Sequence, residues 1–295
     1  MIRFGGPVFL DEAKAAVAGE SQGAAWVDPE RLAAKHREKG FTAAYAPQMD
    51  WRDKEMVRAT REAFERENIM LAEVGYWENI MDTDMDTRNF HRGRTLDALY
   101  LAEELGARCA VNIWGSYCHG NGNSKHDARN FSGDAFAAAV DMARYFIDTV
   151  KPRTAFFAYE IFPFDIVDTV EHMQELVKAV DRKQFGVHLD LANLISDPYK
   201  YFYHTQILDE MIKTLGDKIV STHVKDIKLK EPTISVILEE VPAGRGIIDF
   251  GAFAAAVNRL PRDTPFMMEH LSSEEEYDAA AAHIRGEAAK AGVKI

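Results

Sequence analysis

The sequence predicts one α/β domain, residues 1–295, folded as a (β/α)8 TIM barrel. Short apolar segments that suit strands alternate regularly with longer segments of helical periodicity. No Pro/Gly/Ser-rich linker and no block of different composition interrupts this alternation. Eight strand–helix units in 295 residues fit this barrel, which takes about 250 residues and places any excess in loops.

The predicted strands are apolar runs of seven to nine residues, many of them rich in β-branched and aromatic side chains. They are 2–9, 41–47, 69–77, 109–115, 154–162, 185–192, 219–227 and 265–271. The helical segments repeat apolar residues at intervals of three and four and carry acidic residues near their starts. The clearest are 28–40, 53–68, 96–107, 134–150, 168–183 and 206–217. Segment 272–292 predicts the closing helix, capped by Ser272 or Ser273.

A doubly wound open sheet is the alternative architecture for alternating strands and helices. That fold usually carries a GxGxxG turn after its first strand, because the backbone there must approach a pyrophosphate closely. The first predicted strand runs into "FGGPVFLDEAK" (4–14), which lacks that spacing. The barrel is therefore the preferred prediction.

The charge balance narrows the class of function. The formal net charge is −12, whereas nucleic acids and anionic membranes attract a surplus of Lys and Arg. Cys109 and Cys118 are too few for a disulfide framework and form no CxxC pair. Neither a signal-peptide pattern nor a run of about 18 apolar residues is present. We expect a cytoplasmic protein that acts on a small molecule and binds neither nucleic acid nor membrane.

The last four predicted strands each end in a residue that can bind a metal ion. These residues are Glu160, Asp190, His223 and Glu269. Their spacings of 30, 33 and 46 residues correspond to about one strand–helix unit each. The C-terminal ends of barrel strands form one face, where active sites of this fold lie, so we expect the four side chains to converge there.

Three carboxylates and one imidazole suit Mn, Mg or Co, with Zn as a further alternative, and not a closed structural zinc site. Without a cation such carboxylates repel one another, so at least one would take up a proton. Taken singly, His223 would be interpreted as a histidine of the core. Each of the three acidic residues would be interpreted as a helix cap or a solvated loop residue. The coincidence at four consecutive strand ends favours a site for one divalent metal ion.

Several motifs resemble the sugar phosphate isomerase/epimerase family, which has a xylose isomerase-like TIM barrel. Besides the four strand-end residues, they are "HVKD" (223–226), "GRGIIDF" (244–250), "MMEHL" (267–271), "IMLAEVGYW" (69–77) and "AVNIWGS" (110–116). The resemblance implies a sugar or keto-sugar substrate, and association into a dimer or tetramer is expected by analogy. It covers almost the whole chain.

By resemblance to the ketose 3-epimerases of that family, Glu160 and Glu269 would both hold the ion and exchange the substrate proton. Asp190 and His223 would mainly be ligands. A hydroxyketone that chelates the ion has an acidified α proton, because the metal stabilises the developing enediolate. One glutamate removes that proton and the other returns one to the opposite face, which inverts the stereochemistry.

The chain departs from the epimerase pattern at three positions. Asn193 stands where those enzymes have a substrate-binding histidine, Leu229 where they have an arginine, and Ile166 where they have a second glutamate. These departures leave open a lyase or dehydratase of the same family, acting on a keto-sugar or 3-keto-glycoside by β-elimination. A non-catalytic sugar-binding subunit is a remoter alternative. An abasic-site endonuclease would need a basic groove, which this acidic chain lacks.

Four further residues are candidates for contacting the substrate. They are His188, Asn193, Lys225 and Trp114. Residues two apart in a strand share a face, so His188 should point into the barrel with Asp190. There it either binds a substrate hydroxyl or a metal ligand, or is a buried histidine bonded to a neighbouring strand. Lys225 would neutralise a phosphate, carboxylate or enediolate oxygen, with a solvated loop lysine as the alternative. Trp114 would form an apolar wall against a sugar, together with Trp77, Tyr45 and Phe162, although aromatic residues at barrel ends are more often part of the core.

Overall fold

The computed structural model describes residues 1–10, 28–120, 125–163, 165–166, 168–232 and 234–295. The strands described are β1 (Ile2–Gly5), β2 (Ala43–Tyr45), β3 (Met70–Gly75), β4 (Cys109–Asn112), β5 (Phe156–Glu160), β6 (Phe185–Asp190), β7 (Ile219–Val224), β8 (Asp226–Leu229), β9 (Leu238–Val241) and β10 (Thr264–Met268). Eight of these close into a parallel barrel in the order β1-β10-β7-β6-β5-β4-β3-β2. The predicted fold class is confirmed.

The helices described are α1 (Pro29–Glu38), α2 (Lys54–Arg66), α3 (Met85–Leu105), α4 (Gly133–Val150), α5 (Val170–Val180), α6 (Leu191–Leu194), α7 (Pro198–Phe202), α8 (His204–Leu215), α9 (Phe250–Asn258) and α10 (Glu274–Lys290). A 3-10 turn spans Ala128–Phe131. In the described part of the chain, no helix is long and apolar enough to cross a membrane.

Helix starts follow the capping signals in the sequence. The side chains of Asp28, Asp53, Ser132, Thr169 and Ser273 each accept a backbone N–H from the first turn of the helix that follows. Each such bond satisfies an N–H group that has no partner within its helix. The cap of α10 is therefore Ser273, one of the two serines predicted for it.

Several predicted boundaries were wrong, and three of them have a clear physical cause. Strand β1 ends at Gly5 and not at residue 9, because Pro7 has no N–H for a sheet ladder. Helix α3 begins at Met85, 11 residues before the predicted start at 96, since the Asp84 side chain caps a turn that lacks apolar periodicity. Strand β7 ends at Val224, and the chain then forms the antiparallel hairpin β8–β9.

The hairpin is held by the carboxylate of Asp226, which is almost completely buried. It accepts N–H groups from Gly244, Gly246 and Ile248 at 2.8–3.0 Å, and from the adjacent Ile227. The "GRGIIDF" segment therefore wraps around Asp226. A Cβ atom at Gly246 would lie 2.1 Å from Oδ1 of Asp226, so this close approach requires glycine.

Apolar side chains fill the space between the barrel and its helices. The largest fully buried ones include Trp114, Tyr159, Phe157, Phe185 and Phe266. Smaller apolar clusters are formed by other strand residues such as Ala43, Met267, Ala158 and Val220. Burying these residues supplies the main favourable free energy of the fold. The strands that carry it end at the face where the candidate site lies.

Candidate metal centre

Four strand ends bring Glu160, Asp190, His223 and Glu269 together. Glu160 and Asp190 are the last residues of β5 and β6, His223 is one residue before the end of β7, and Glu269 directly follows β10. Each offers a ligand-type atom, and these atoms lie within 4.8 Å of one another. We call these four residues the quartet. Glu160, Asp190 and His223 are almost completely buried.

His223 lies at the centre of the quartet. Its Nδ1 atom is 2.8 Å from Oε2 of Glu269, 3.2 Å from Oε1 of Glu160 and 3.9 Å from Oδ2 of Asp190. Burial lowers the pKa of His223, but Glu269, Glu160 and other nearby groups raise it well above its usual range. The three carboxylates therefore attract positive charge to this point.

Asp190 shows how crowded the negative charge is. Burial raises the pKa of Asp190 to about 8, although the adjacent Lys225 lowers it, since Glu269 and Glu160 repel a further negative charge. Its Oδ1 atom accepts the backbone N–H of Asn193 at the start of α6. One carboxyl of the quartet thus tends to hold a proton, as the sequence predicts for carboxylates this close without a cation.

Lys225 supplies a cation next to the quartet. Its Nζ atom lies 2.8 Å from Oδ2 of Asp190, 2.8 Å from Oε1 of Glu269 and 3.4 Å from Oε1 of Glu240. Burial lowers the pKa of Lys225, but these carboxylates raise it well above its usual range. The lysine therefore stays charged while buried.

Two donors fix the carboxylate of Glu160. Trp77 donates its indole N–H to Oε2, and Nδ2 of Asn193 donates to Oε1 at 3.1 Å. Asn193 also donates to the backbone carbonyl of Ile161, which ties its amide to the end of β5. These bonds hold the Glu160 carboxylate in one orientation.

A second layer lies beneath the quartet, inside the barrel. Glu73 of β3 is fully buried, and its Oε2 atom lies 3.2 Å from Nε2 of His188 and 3.3 Å from Nε2 of His223. Ser221 donates its hydroxyl to the other oxygen at 2.7 Å. Burial raises the pKa of Glu73, but the two histidines lower it far below its usual range. Glu73 is therefore ionised.

The donor set of the quartet fits a divalent cation. Three carboxylates and one imidazole are donors that Mn, Mg, Co and Zn accept. Oδ2 of Asp190 and Oε1 of Glu269 are buried and outside hydrogen-bond geometry with any described residue, although the ammonium of Lys225 lies 2.8 Å from each. Buried oxygens normally have a hydrogen-bond partner. A divalent ion would compensate the same oxygens that Lys225 contacts in this structure.

The four predicted substrate contacts lie in different places. Lys225 and Asn193 contact the quartet directly. His188 lies below it against Glu73, its ring 4.2 Å from that of His223. Trp114 is fully buried in the apolar core against Tyr159, so its ring presents no surface to a substrate in this structure. Although Trp114 follows a barrel strand, its indole points into the core and not toward the quartet.

Trp77 and Tyr45, which the sequence offered for an apolar wall, are the aromatic neighbours of His223, with ring centroids 5.7 and 6.0 Å away. Sequence reasoning missed two acidic residues near the quartet, Glu73 and Glu240. The sequence did contain a signal for Glu73. A glutamate within the apolar run "IMLAEVGYW" is expected to be buried, and a buried glutamate nearly always has polar or charged partners. Glu240 reaches the site only through the hairpin, which was not predicted.

A cavity of about 160 Å³ opens beside Lys225 and Glu269, between the hairpin, the end of β10 and α10. Its polar lining includes Glu240 and His270, which pair at 2.8 Å. Its apolar lining includes Leu271 and Ile284. The cavity provides space for a small polar molecule next to the quartet.

Comparisons with known proteins give one family and several similar folds. The model of the family described as "Xylose isomerase-like TIM barrel" matches residues 32–287. Among curated proteins, none matches the sequence significantly. D-psicose 3-epimerase from Clostridium cellulolyticum H10, solved with D-tagatose, is 15% identical with a TM-score of 0.67, covering 99% of this chain and 100% of that one.

Two further solved structures are similar. A xylose isomerase-like TIM barrel protein from Mycobacterium smegmatis, in complex with magnesium, is 16% identical with a TM-score of 0.64, covering 98% of this chain and 97% of the other. The apo form of 3-keto-D-glucoside 4-epimerase from E. coli is 13% identical with a TM-score of 0.63, covering 97% and 100%. Identities this low establish a shared fold and no more.

Proposed function

This chain belongs to the xylose isomerase-like TIM barrel family, and from that premise we propose that it is a divalent-metal-dependent sugar isomerase or epimerase. Its substrate is a sugar or keto-sugar, and the reaction is proton transfer at the carbon next to a carbonyl. The observation that carries the proposal is the quartet, four ligand-type residues, three of them buried and one half-buried, whose ligand atoms lie within 4.8 Å of one another at neighbouring strand ends. The sugar epimerases among the similar folds support this choice.

Glu160, Asp190, His223 and Glu269 would hold the ion, and Mn, Mg, Co or Zn all suit these donors. The Mycobacterium protein solved with magnesium has the same fold. A bound divalent ion supplies Lewis acidity, which makes the C–H bond beside the substrate carbonyl more acidic.

The strand order supports a division of roles among the quartet residues. Around the barrel the relevant strands run β10-β7-β6-β5, so Glu269 and Glu160 come from the two ends of this arc and Asp190 and His223 from its middle. We assign Glu160 and Glu269 as the acid/base pair. One removes the proton from the substrate carbon, and the other gives a proton to the opposite face.

Neighbouring side chains prepare each glutamate for this role. Trp77 and Asn193 orient the carboxylate of Glu160 through two hydrogen bonds. Lys225 contacts Glu269, and its charge would also attract a substrate oxygen that becomes negative as the proton leaves. Burial of these groups excludes water, which strengthens their electrostatic effect.

The test compares the wild type with Glu160→Gln and Glu269→Gln. Chelator-treated protein is supplied with Mn, Mg, Co or Zn and assayed in D2O with free ketoses and 3-keto-glycosides. The wild type should convert one stereoisomer and incorporate deuterium at the reacting carbon, but only with metal. Each variant should lose conversion by at least ~10²-fold, a typical contribution of a general acid or base. Each should retain metal-dependent exchange from one stereoisomer, because one base remains.

Glu171→Gln is the matched control, because Glu171 is an exposed glutamate in the first turn of α5. It should keep full activity. Release of an aglycone or formation of a dehydrated product would contradict the isomerase proposal and support the lyase alternative. Absence of turnover under every metal, with sugar binding retained, would support a binding subunit instead.

A further inference from the structure

Glu73 is a carboxylate in the interior of the barrel, where burial of an acidic group is costly unless partners compensate it. Its side chain is fully buried and is not one of the quartet residues. Three groups surround it, the two imidazoles of His188 and His223 and the hydroxyl of Ser221. A buried acidic side chain with three polar partners calls for a specific role.

The two ring nitrogens of His223 face different partners. Nδ1 faces the quartet, with Glu269 at 2.8 Å, and Nε2 faces Glu73 at 3.3 Å. Without a cation, the carboxylates around Nδ1 favour a proton on that nitrogen as well. A metal ligand has to give up the Nδ1 proton, and a carboxylate beside Nε2 favours keeping the other proton there. The lone pair of Nδ1 is then directed at the quartet, which is the state that a metal ligand needs.

A second metal ion is the competing interpretation of this layer, because Glu73, His188 and His223 also offer three atoms within 4.8 Å. The contacts favour hydrogen bonding instead. A single oxygen of Glu73 lies at hydrogen-bond distance, 3.2 and 3.3 Å, from one nitrogen of each ring. The other oxygen already accepts the hydroxyl of Ser221. The contacts from His188 and Ser221 are hydrogen bonds, and the contact with Nε2 of His223 is an ion-pair contact outside hydrogen-bond geometry. Together they compensate the carboxylate without an ion.

We propose that Glu73 is a positioning residue that holds His223 with its proton on Nε2 and its Nδ1 lone pair directed at the quartet. It thereby strengthens binding of the divalent ion without touching the ion or the substrate. The inference rests on the proposed function, since it takes His223 as a metal ligand. His188 packs against the His223 ring and shares the same carboxylate oxygen, which limits rotation of both rings.

The experiment measures the Mn²⁺ dissociation constant by isothermal titration calorimetry for the wild type, Glu73→Met and Glu73→Gln. Loss of a partner that orients a metal ligand typically costs about 10–100-fold in metal affinity, and this loss is expected for Glu73→Met. Glu73→Gln keeps one acceptor oxygen, so its dissociation constant should lie between the other two. Circular dichroism and thermal unfolding establish that each variant is folded.

Ser221→Ala is the matched control. It removes a hydrogen bond of the same carboxylate but leaves both histidine contacts, so its dissociation constant should stay within about threefold of the wild type. A second readout is the ¹⁵N NMR spectrum of the imidazoles in Zn²⁺-loaded protein. The wild type should show His223 protonated at Nε2 and ligated at Nδ1, and Glu73→Met should lose this single state.

Three outcomes would overturn the inference, and they differ from one another. A folded Glu73→Met variant with wild-type Mn²⁺ affinity overturns the role of Glu73 alone. Two ions per wild-type chain, with one lost in Glu73→Met, would show that the layer is a second metal site. A wild type that binds none of Mn, Mg, Co and Zn overturns the proposed function and this inference together.

Discussion

The ammonium nitrogen of Lys225 lies 2.8 Å from Oε1 of Glu269, so a buried side-chain cation contacts a carboxylate of the quartet. The same nitrogen is equally close to Asp190. A divalent ion held by these carboxylates would experience repulsion from the lysine at short range. Lys225 therefore balances the charge of the quartet and also competes for its oxygens.

Replacing Lys225 tests this competition. Lys225→Met should bind Mn²⁺ about tenfold more tightly, which corresponds to removal of ~1.4 kcal/mol of repulsion. It should also lower turnover if the lysine binds a substrate oxygen. Calorimetry gives the first quantity and steady-state kinetics the second. Lys228→Met is the control, since Lys228 is exposed on β8, three residues after Lys225. Unchanged or weaker Mn²⁺ binding in Lys225→Met would contradict the competition.

Gly75 makes room for the indole that binds Glu160. A Cβ atom there would lie 1.9 Å from the ring of Trp77, which cannot move without losing its bond to Glu160. Gly75→Ala should lower the free energy of unfolding by ~1–3 kcal/mol through overpacking, as measured by urea denaturation. Gly93→Ala, in an open position on α3, should be neutral or stabilising by up to ~1 kcal/mol. Equal free energies of unfolding for the two variants would show that Gly75 is not required to make room for Trp77.

Asp226 should be a main determinant of hairpin stability. Each of its carboxylate oxygens accepts two backbone N–H groups, and an asparagine would direct its own N–H₂ at two of those donors. We expect Asp226→Asn to lower the free energy of unfolding by about 3 kcal/mol, since bonds to a charged acceptor are strong. Asp249→Asn, at the cap of α9, should cost less than about 0.5 kcal/mol because asparagine caps equally well.

The lowered pKa of the buried His36 side chain predicts that the protein loses stability at acidic pH. Burial among Phe41 and Phe64 lowers the pKa of His36 from 6.5 to about 4, with its Nδ1 bonded to the carbonyl of Leu32. Between these two values the unfolded chain binds a proton that the folded chain does not. Stability from this residue is therefore complete above pH 6.5 and falls as pH drops toward 4, by about 3 kcal/mol in total.

The measurement is the free energy of unfolding in urea at pH 7.5 and at pH 5 for the wild type and His36→Leu. The variant keeps an apolar side chain in the core and removes the titrating group. Its stability should fall less between the two pH values than that of the wild type. An equal fall in both proteins would show that other groups cause the acid sensitivity.

Sequence patterns were enough to predict the barrel and the convergence of the quartet. Eight alternating strand–helix units without a GxGxxG turn favour the barrel over an open sheet, and a barrel places the C-terminal ends of its strands on one face. The spacing of Glu160, Asp190, His223 and Glu269 was therefore enough to predict that they meet.

The residues that support the quartet could be identified only from the folded structure. Glu73 and His223 meet because β3 and β7 stand four places apart in the ring of eight strands, directly across the barrel. Glu240 reaches Lys225 because a hairpin follows β7. Strand periodicity shows which side chains point inward but not which of them touch across the barrel. That choice depends on barrel closure, register shifts and side-chain rotamers, which are fixed only when the whole core packs.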